Sequence, residues 1–272
     1  MRNINQGRLI VRKLYVLFGI FIALNFLSIK AYSANNCLDI AKRLYELQNQ
    51  IVDKSFRHLP VGTWAKYGKG SKAVYLGRQI SPKTGLELYV IEFTGESTVG
   101  QIWYRLTPKD ITYQGQQLRF WTLEPMEIYG VIGGRAFYIS KNMIETYMGM
   151  SGNRWSTILE EGTILNPPDC HNLPEINEKT YNFPNGKKVK ATIIRSTVNG
   201  GELYCSPDVP FGMIKVVSSN GKVGGLGGPL VDFGTGAKPV ISREMVKNSV
   251  SLPIFPGMDN TRMPPIFFPK AN

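Results

Sequence analysis

Histidine is nearly missing from this 272-residue chain, which has two, and cysteine occurs three times. Two histidines, His58 and His171, leave little material for imidazole-based acid–base chemistry. Cys37, Cys170 and Cys205 stand at none of the usual spacings of zinc ligands. Cys170-His171 invites a thiol-nucleophile reading, but sequence neighbours rarely meet in space as nucleophile and base. The chain also lacks G-x-x-x-x-G-K-[ST]. Its glycine-rich stretch from Gly221 to Gly236 leads into Leu230-Val231-Asp232-Phe233, a strand rather than a helix N-terminus, and reads as a flexible hairpin loop. Glu160 and Glu161 are adjacent and point to opposite faces of an extended chain, so they are no acid/base dyad. Gly149-Met150-Ser151-Gly152 lacks the glycine spacing of a nucleophile elbow. These absences predict a protein that is not an enzyme and carries no cofactor and no metal.

Charge and hydropathy narrow the class further. No apolar run reaches the roughly 20 residues of a membrane span. No basic block is interleaved with aromatics, which argues against nucleic acid. Lys187-Lys188-Val189-Lys190 is the densest basic cluster and reads as a solvated strand face. What the N-terminus does have is a secretory leader. Arg2, Arg8, Arg12 and Lys13 precede the apolar stretch Leu14–Leu27, and no acid occurs before Asp39. Ala31-Tyr32-Ser33 places small residues at −3 and −1, so cleavage before Ala34 is expected. An uncleaved anchor is the alternative, and the shortness of the run argues against it. Lipidation at Cys37 is disfavoured by the Asn35-Asn36 that precedes it. The expected location is periplasmic or secreted, with no transmembrane segment after cleavage. The leader holds five of the 32 basic residues, so its removal lowers the formal charge from +12 to +7. That balance favours solubility and anionic surfaces such as lipid headgroups. An oxidising compartment permits one disulfide and leaves one thiol. Spacing does not choose among the three pairings. We expect Cys37–Cys170, which would tie an N-terminal helix to a Pro-rich loop.

Leu38, Ala41, Leu44, Leu47 and Ile51 recur at helical spacing and predict a helix from Asn36 to about Lys54. From Thr63 to Ile139 the pattern changes to eight short runs rich in aromatic and β-branched residues, spaced as in an antiparallel meander. Pro108-Lys109-Asp110 and Gln114-Gly115-Gln116 read as turns within it. A short helix is expected over Asn142–Met148 and an irregular stretch over Thr157–Pro174. Strands resume at Lys188–Thr197, Glu202–Cys205, Phe211–Val217 and Leu230–Phe233. In Leu86–Phe93 both alternating faces are largely apolar, so either both are covered by protein or one lines an apolar cavity. The expected fold is mainly β (α+β): a curved antiparallel sheet or half-barrel with an N-terminal helix and a few short helices. The expected divisions are a signal peptide over 1–33, a β-rich domain over 34–236 and a Pro-rich C-terminal tail over 237–272, with no strand in the tail.

Three segments, Gly62-Thr63-Trp64-Ala65-Lys66-Tyr67, Val209-Pro210-Phe211-Gly212-Met213-Ile214-Lys215 and Leu230-Val231-Asp232-Phe233-Gly234-Thr235-Gly236, resemble in order and setting a group of exported bacterial proteins. That group is similar in architecture to the lipoprotein-carrier (LolA/LolB-like) fold, over about residues 60 to 236. The resemblance implies a curved sheet wrapped round helices and an apolar cavity, and carries over no catalytic residue. From it, and from the aromatic density of the meander, we expect an extracytoplasmic binding or carrier protein for an apolar ligand such as lipid acyl chains. Trp103, Tyr104, Trp121 and Phe137 are the candidate lining residues. The alternative is a non-enzymatic structural or adaptor protein of an envelope assembly. Its partner contact would be the tail, where Pro253-Ile254-Phe255-Pro256 is nearly repeated as Pro265-Ile266-Phe267-Phe268-Pro269. Ile254, Phe255, Ile266 and Phe267 are then the apolar anchors, on a segment whose prolines lower the entropy lost on docking.

Overall fold

The computed structural model describes residues 34–95, 98–150, 170, 172–198, 200–224 and 228–251. The predicted helix is α1, Ala34–Val52, and it continues into a short π turn, Asp53–Arg57. The meander condenses into six strands: β1 Trp64–Tyr67, β2 Lys72–Ile80, β3 Glu87–Gly95, β4 Thr98–Tyr113, β5 Gln116–Ile132 and β6 Arg135–Ser140. Helix α2, Lys141–Met150, follows. Later come β7 Glu175–Asn182, β8 Lys188–Arg195, β9 Glu202–Cys205, β10 Met213–Val217, β11 Val223–Gly224 and β12 Leu230–Gly234. Helix α3, Arg243–Lys247, and strand β13, Val250–Ser251, complete the described chain. The protein is mainly β. One sheet has eight strands in the order β12-β1-β2-β3-β4-β5-β6-β13, and a second has five in the order β11-β10-β9-β8-β7. Every pairing is antiparallel except β13 with β6.

Three local expectations change. Pro108-Lys109-Asp110 does not turn the chain: β4 runs straight through it, with Pro108 opposite Trp121 of β5. Beyond Tyr104, β4 has no strand on its other side among the described elements, the edge setting in which a strand accepts proline. The reversal falls at Gln114-Gly115 instead, where φ is +48° and +76°. Two successive positive φ values make the tight turn that matches strand twist. Strand β7, Glu-Ile-Asn-Glu-Lys-Thr-Tyr-Asn, begins where the irregular stretch was expected to end, and its mostly exposed polar residues gave no alternation to read. Lastly, the segment from Ala237 is no free tail as far as Ser251, since it carries α3 and a strand. Positions 1–33 and 252–272, and with them the leader and the four tail anchors, lie outside the described residues.

Both faces of the large sheet are covered. On the inner face Tyr67, Tyr75, Ile91, Ile102, Tyr104 and Ile128 pack against Leu44 and Ile51 of α1 and against Ile194, Leu203, Met213 and Ile214 of the smaller sheet. On the outer face Val74, Leu88, Val90, Trp103 and Tyr129 pack against Ile241 and Val246. That answers the two-sided apolar pattern of β3: Leu88 and Val90 face one layer, Ile91 the other. The outer layer is a belt, residues 235–251, that leaves β12 at one edge of the sheet, crosses the face and joins β6 at the opposite edge. A bulge in β5 at Met126, between the residues opposite Trp103 and Tyr104, re-registers the strand. It lets both Leu123 and Ile128 reach the inner core despite their odd spacing.

The distal half of β5 runs past the end of β6, and α1 covers its edge. Asn49 Nδ2 donates to Arg119 O at 2.9 Å, and Asn49 Oδ1 accepts from Trp121 N at 3.0 Å. One side-chain amide thus offers the donor and acceptor that a neighbouring strand's peptide group would. Gln48 Nε2 adds a bond to Trp121 O at 2.6 Å, and Tyr45 stacks on Phe120 at 4.7 Å between ring centres. Cys37, near the start of α1, is disulfide-bonded to Cys170. The Tyr113 hydroxyl, at the tip of the hairpin, lies 2.6 Å and 3.1 Å from the two sulfurs.

Candidate functional site

The unusual chemistry of the molecule lies between the large sheet and its belt. Residues directly opposite one another across β1 to β6 form a row on the outer face: Trp64, Val74, Glu92, Gln101, Tyr129 and Tyr138. Glu92 is fully buried and Gln101 is 2% exposed. The Glu92 carboxylate accepts from Val240 N at 2.7 Å, Ile241 N at 2.9 Å and Gln101 Nε2 at 3.1 Å. The same Gln101 nitrogen donates to Ile241 O at 3.1 Å, and Gln101 Oε1 accepts from the Trp103 indole at 3.1 Å. Two side chains therefore grip the belt by its backbone alone. A buried carboxylate survives without a countercharge when N–H donors satisfy its oxygens.

Glu127 is a second buried carboxylate, on the same face. Ser81 Oγ donates to it at 2.8 Å, Thr84 Oγ1 at 2.6 Å and Tyr129 Oη at 2.8 Å. Ser81 Oγ also accepts from Lys83 N and Thr84 N, so Glu127 organises the β2–β3 turn. Burial first, then donation to Glu127, raises the ionisation of the Tyr129 hydroxyl far above its ordinary range. Lys83 reaches from this turn to the belt, donating to Lys247 O at 3.2 Å and Ser249 O at 3.0 Å. The Lys247 carbonyl ends α3, where a cation complements the helix terminus, and Ser249 lies just beyond it. Sequence reasoning missed both carboxylates. The signal available was Glu92 itself, a lone acid in register with Leu88 and Val90 on an otherwise apolar strand face.

The four candidate lining residues do not share a surface. Trp103 and Tyr104 are consecutive and face opposite ways, Trp103 to the belt and Tyr104 to the inner core. Trp121 is half-buried on the distal part of β5, with the Arg57 guanidinium 4.9 Å from its ring centre. Phe137, also half-buried, sits on β6 between Gly130 and Val250. The inner core has a polar oddity of its own: Tyr67 Oη is buried with no hydrogen-bond partner, and burial drives its ionisation far up. The third cysteine, Cys205, is buried beside Thr192 O, and desolvation pushes its thiol up to about 12. At neutral pH that leaves it no thiolate for chemistry. His58 is exposed and lies 3.4 Å from Asp53.

No helix among the described residues is long and apolar enough to cross a membrane. The chain matches no known protein-family model, no curated protein and no solved structure.

Proposed function

We propose that the protein is a non-enzymatic structural or adaptor component of an extracytoplasmic envelope assembly, engaging a partner protein through residues 252–272. The observation that carries this reading is the clamped belt. Glu92, Gln101 and Lys83 fix residues 240–249 by their backbone, and β13 pairs with β6, so Ser251 is held at one defined edge of the large sheet. Of the two readings the two-sided apolar pattern left open, cover by protein or an apolar cavity, the belt on one side and α1 with the smaller sheet on the other support cover. Ile254, Phe255, Ile266 and Phe267 then serve as apolar anchors on a proline-rich segment. Photo-crosslinking in intact cells tests this. A crosslinking side chain at Phe255 or Phe267 should give discrete protein adducts that the same group at exposed Ile80 does not. Indistinguishable patterns from all three positions would contradict it.

One observation favours the second reading, a carrier for an apolar ligand such as an acyl chain. Tyr67 Oη is an unsatisfied donor inside the apolar inner core, and a ligand with a single polar group would satisfy it. Native mass spectrometry of protein taken from an envelope fraction should then show a bound lipid that Tyr67→Phe loses. Repeated recovery without ligand counts against this reading.

A further inference from the structure

The donors that face the two buried carboxylates differ in kind. Around Glu127 stand three hydroxyls, of Ser81, Thr84 and Tyr129. A hydroxyl can rotate and accept, so a protonated Glu127 keeps a full set of bonds. Around Glu92 stand only N–H groups: the Val240 and Ile241 amides and the Gln101 side-chain nitrogen. None of these can accept. Nor can Gln101 turn over to offer its oxygen, because the Trp103 indole, a donor only, holds that oxygen from behind. A proton on Glu92 would therefore point at a donor whichever oxygen carried it, and one belt amide would lose its acceptor inside a buried interface.

Other charged groups do not relieve this. Opposite Glu92 on β2 is Val74. Lys72 on that strand lies over the Trp64 ring, and Arg78 pairs with Glu87 of β3. The nearest acid on the face, Glu127, has its own hydroxyls. On the belt Lys238, Arg243, Glu244 and Lys247 are exposed, and Lys83 is engaged with the carbonyls of Lys247 and Ser249. The row thus presents one carboxylate, without a countercharge, on which the middle of the belt depends.

We propose that Glu92 is a proton-controlled latch: protonating its carboxylate detaches residues 237–246 from the large sheet while the sheet itself stays folded. The loops on either side suit such a motion. Gly236 has a positive φ of +86°, and the far end is held separately by Lys83 and β13. The inference stands whatever residues 252–272 bind.

Hydrogen exchange read at single amides by NMR tests it on the purified protein. Acidified from about pH 7 to about pH 2, some two units below the ordinary value of a released glutamate, and corrected for the intrinsic pH dependence of exchange, the Val240 and Ile241 amides should lose protection about a hundredfold. Amides in the centres of β4 and β5 should keep theirs. Glu92→Gln should show the same loss at neutral pH, and Glu127→Gln should leave the belt protected. If Glu92→Gln does not fold, the acid titration of the unmodified protein decides alone. Constant protection of Val240 and Ile241 across the range, or loss of belt and sheet in one common transition, would overturn the proposal.

Discussion

Glu127 is the shared acceptor of three hydroxyls, and Glu127→Ala would orphan all of them in a buried site. The expected cost is about 3 kcal/mol or more, read as a lower urea midpoint. Glu127→Gln keeps one acceptor and should cost less. Cys205 makes a different kind of test. With its thiol pushed up to about 12 by burial, it should resist iodoacetamide in the native protein and react fully once denatured. Asp232 responds to pH. Hydrogen bonding to Lys187, then to the Phe233 amide, holds its carboxyl below the usual range. A depressed folded-state value stabilises above the ordinary aspartate range, and that contribution is lost as pH falls through the depressed value. Asp232→Asn should therefore lower the melting temperature at neutral pH and make no difference in strong acid. None of these roles was legible in the residue types themselves. An acid in a strand usually reads as solvent-facing, and only the third layer over the sheet reverses that. The Cys37–Cys170 pairing was within reach of the sequence as the expected one of three, a tie from the N-terminal helix to a Pro-rich stretch, and the structure forms that bond.

Elements were best read where periodicity was strong, as in α1 and in β2 and β3. They were misread where turn chemistry sat inside a ladder, as at Pro108-Lys109-Asp110, because proline on an open edge loses nothing that a neighbour would have supplied. Strand β7 escaped because its pairing with β8 is backbone-driven and leaves charged side chains in water, where Glu178 pairs with Lys190 and Arg43. Helix α1 does two jobs here, packing an apolar stripe and closing the edge of β5. Asn49→Ala should cost about 1–2 kcal/mol through the two lost bonds. It should also speed exchange of the Trp121 amide, which would otherwise stay protected. Reducing the Cys37–Cys170 bond releases a closed loop spanning a sequence separation of 133 and should lower stability by about 3–5 kcal/mol. Gly62 marks where the belt starts. Its φ is +81°, and a Cβ there would sit 2.9 Å from Ala237 O. Gly62→Ala should loosen the belt and lower the melting temperature by more than an exposed glycine such as Gly133 would.

At the scale of the whole molecule, the chain is a large open sheet closed on both faces by its own sequence, with the outer face closed last by residues 235–251. The mainly β class, the N-terminal helix and the burial of both faces of β3 were legible from composition and alternation. The belt was not, because Pro239 and the sparse apolar residues after it give no periodicity, and its anchorage is to backbone rather than side chain. Placing the start of the tail at 237 followed from proline content, whereas packing carries the domain on to Ser251. The most direct measurement is thermal unfolding of two truncated chains beside the full one, the first ending at Ser251 and the second at Gly236. The chain ending at Ser251 should melt with the full protein. The chain ending at Gly236 exposes Trp103, Val90 and Tyr129 and loses the burial of Ile241 and Val246, each worth about 1.5–3 kcal/mol. It should fold but melt far lower. Equal melting of all three chains would contradict the account.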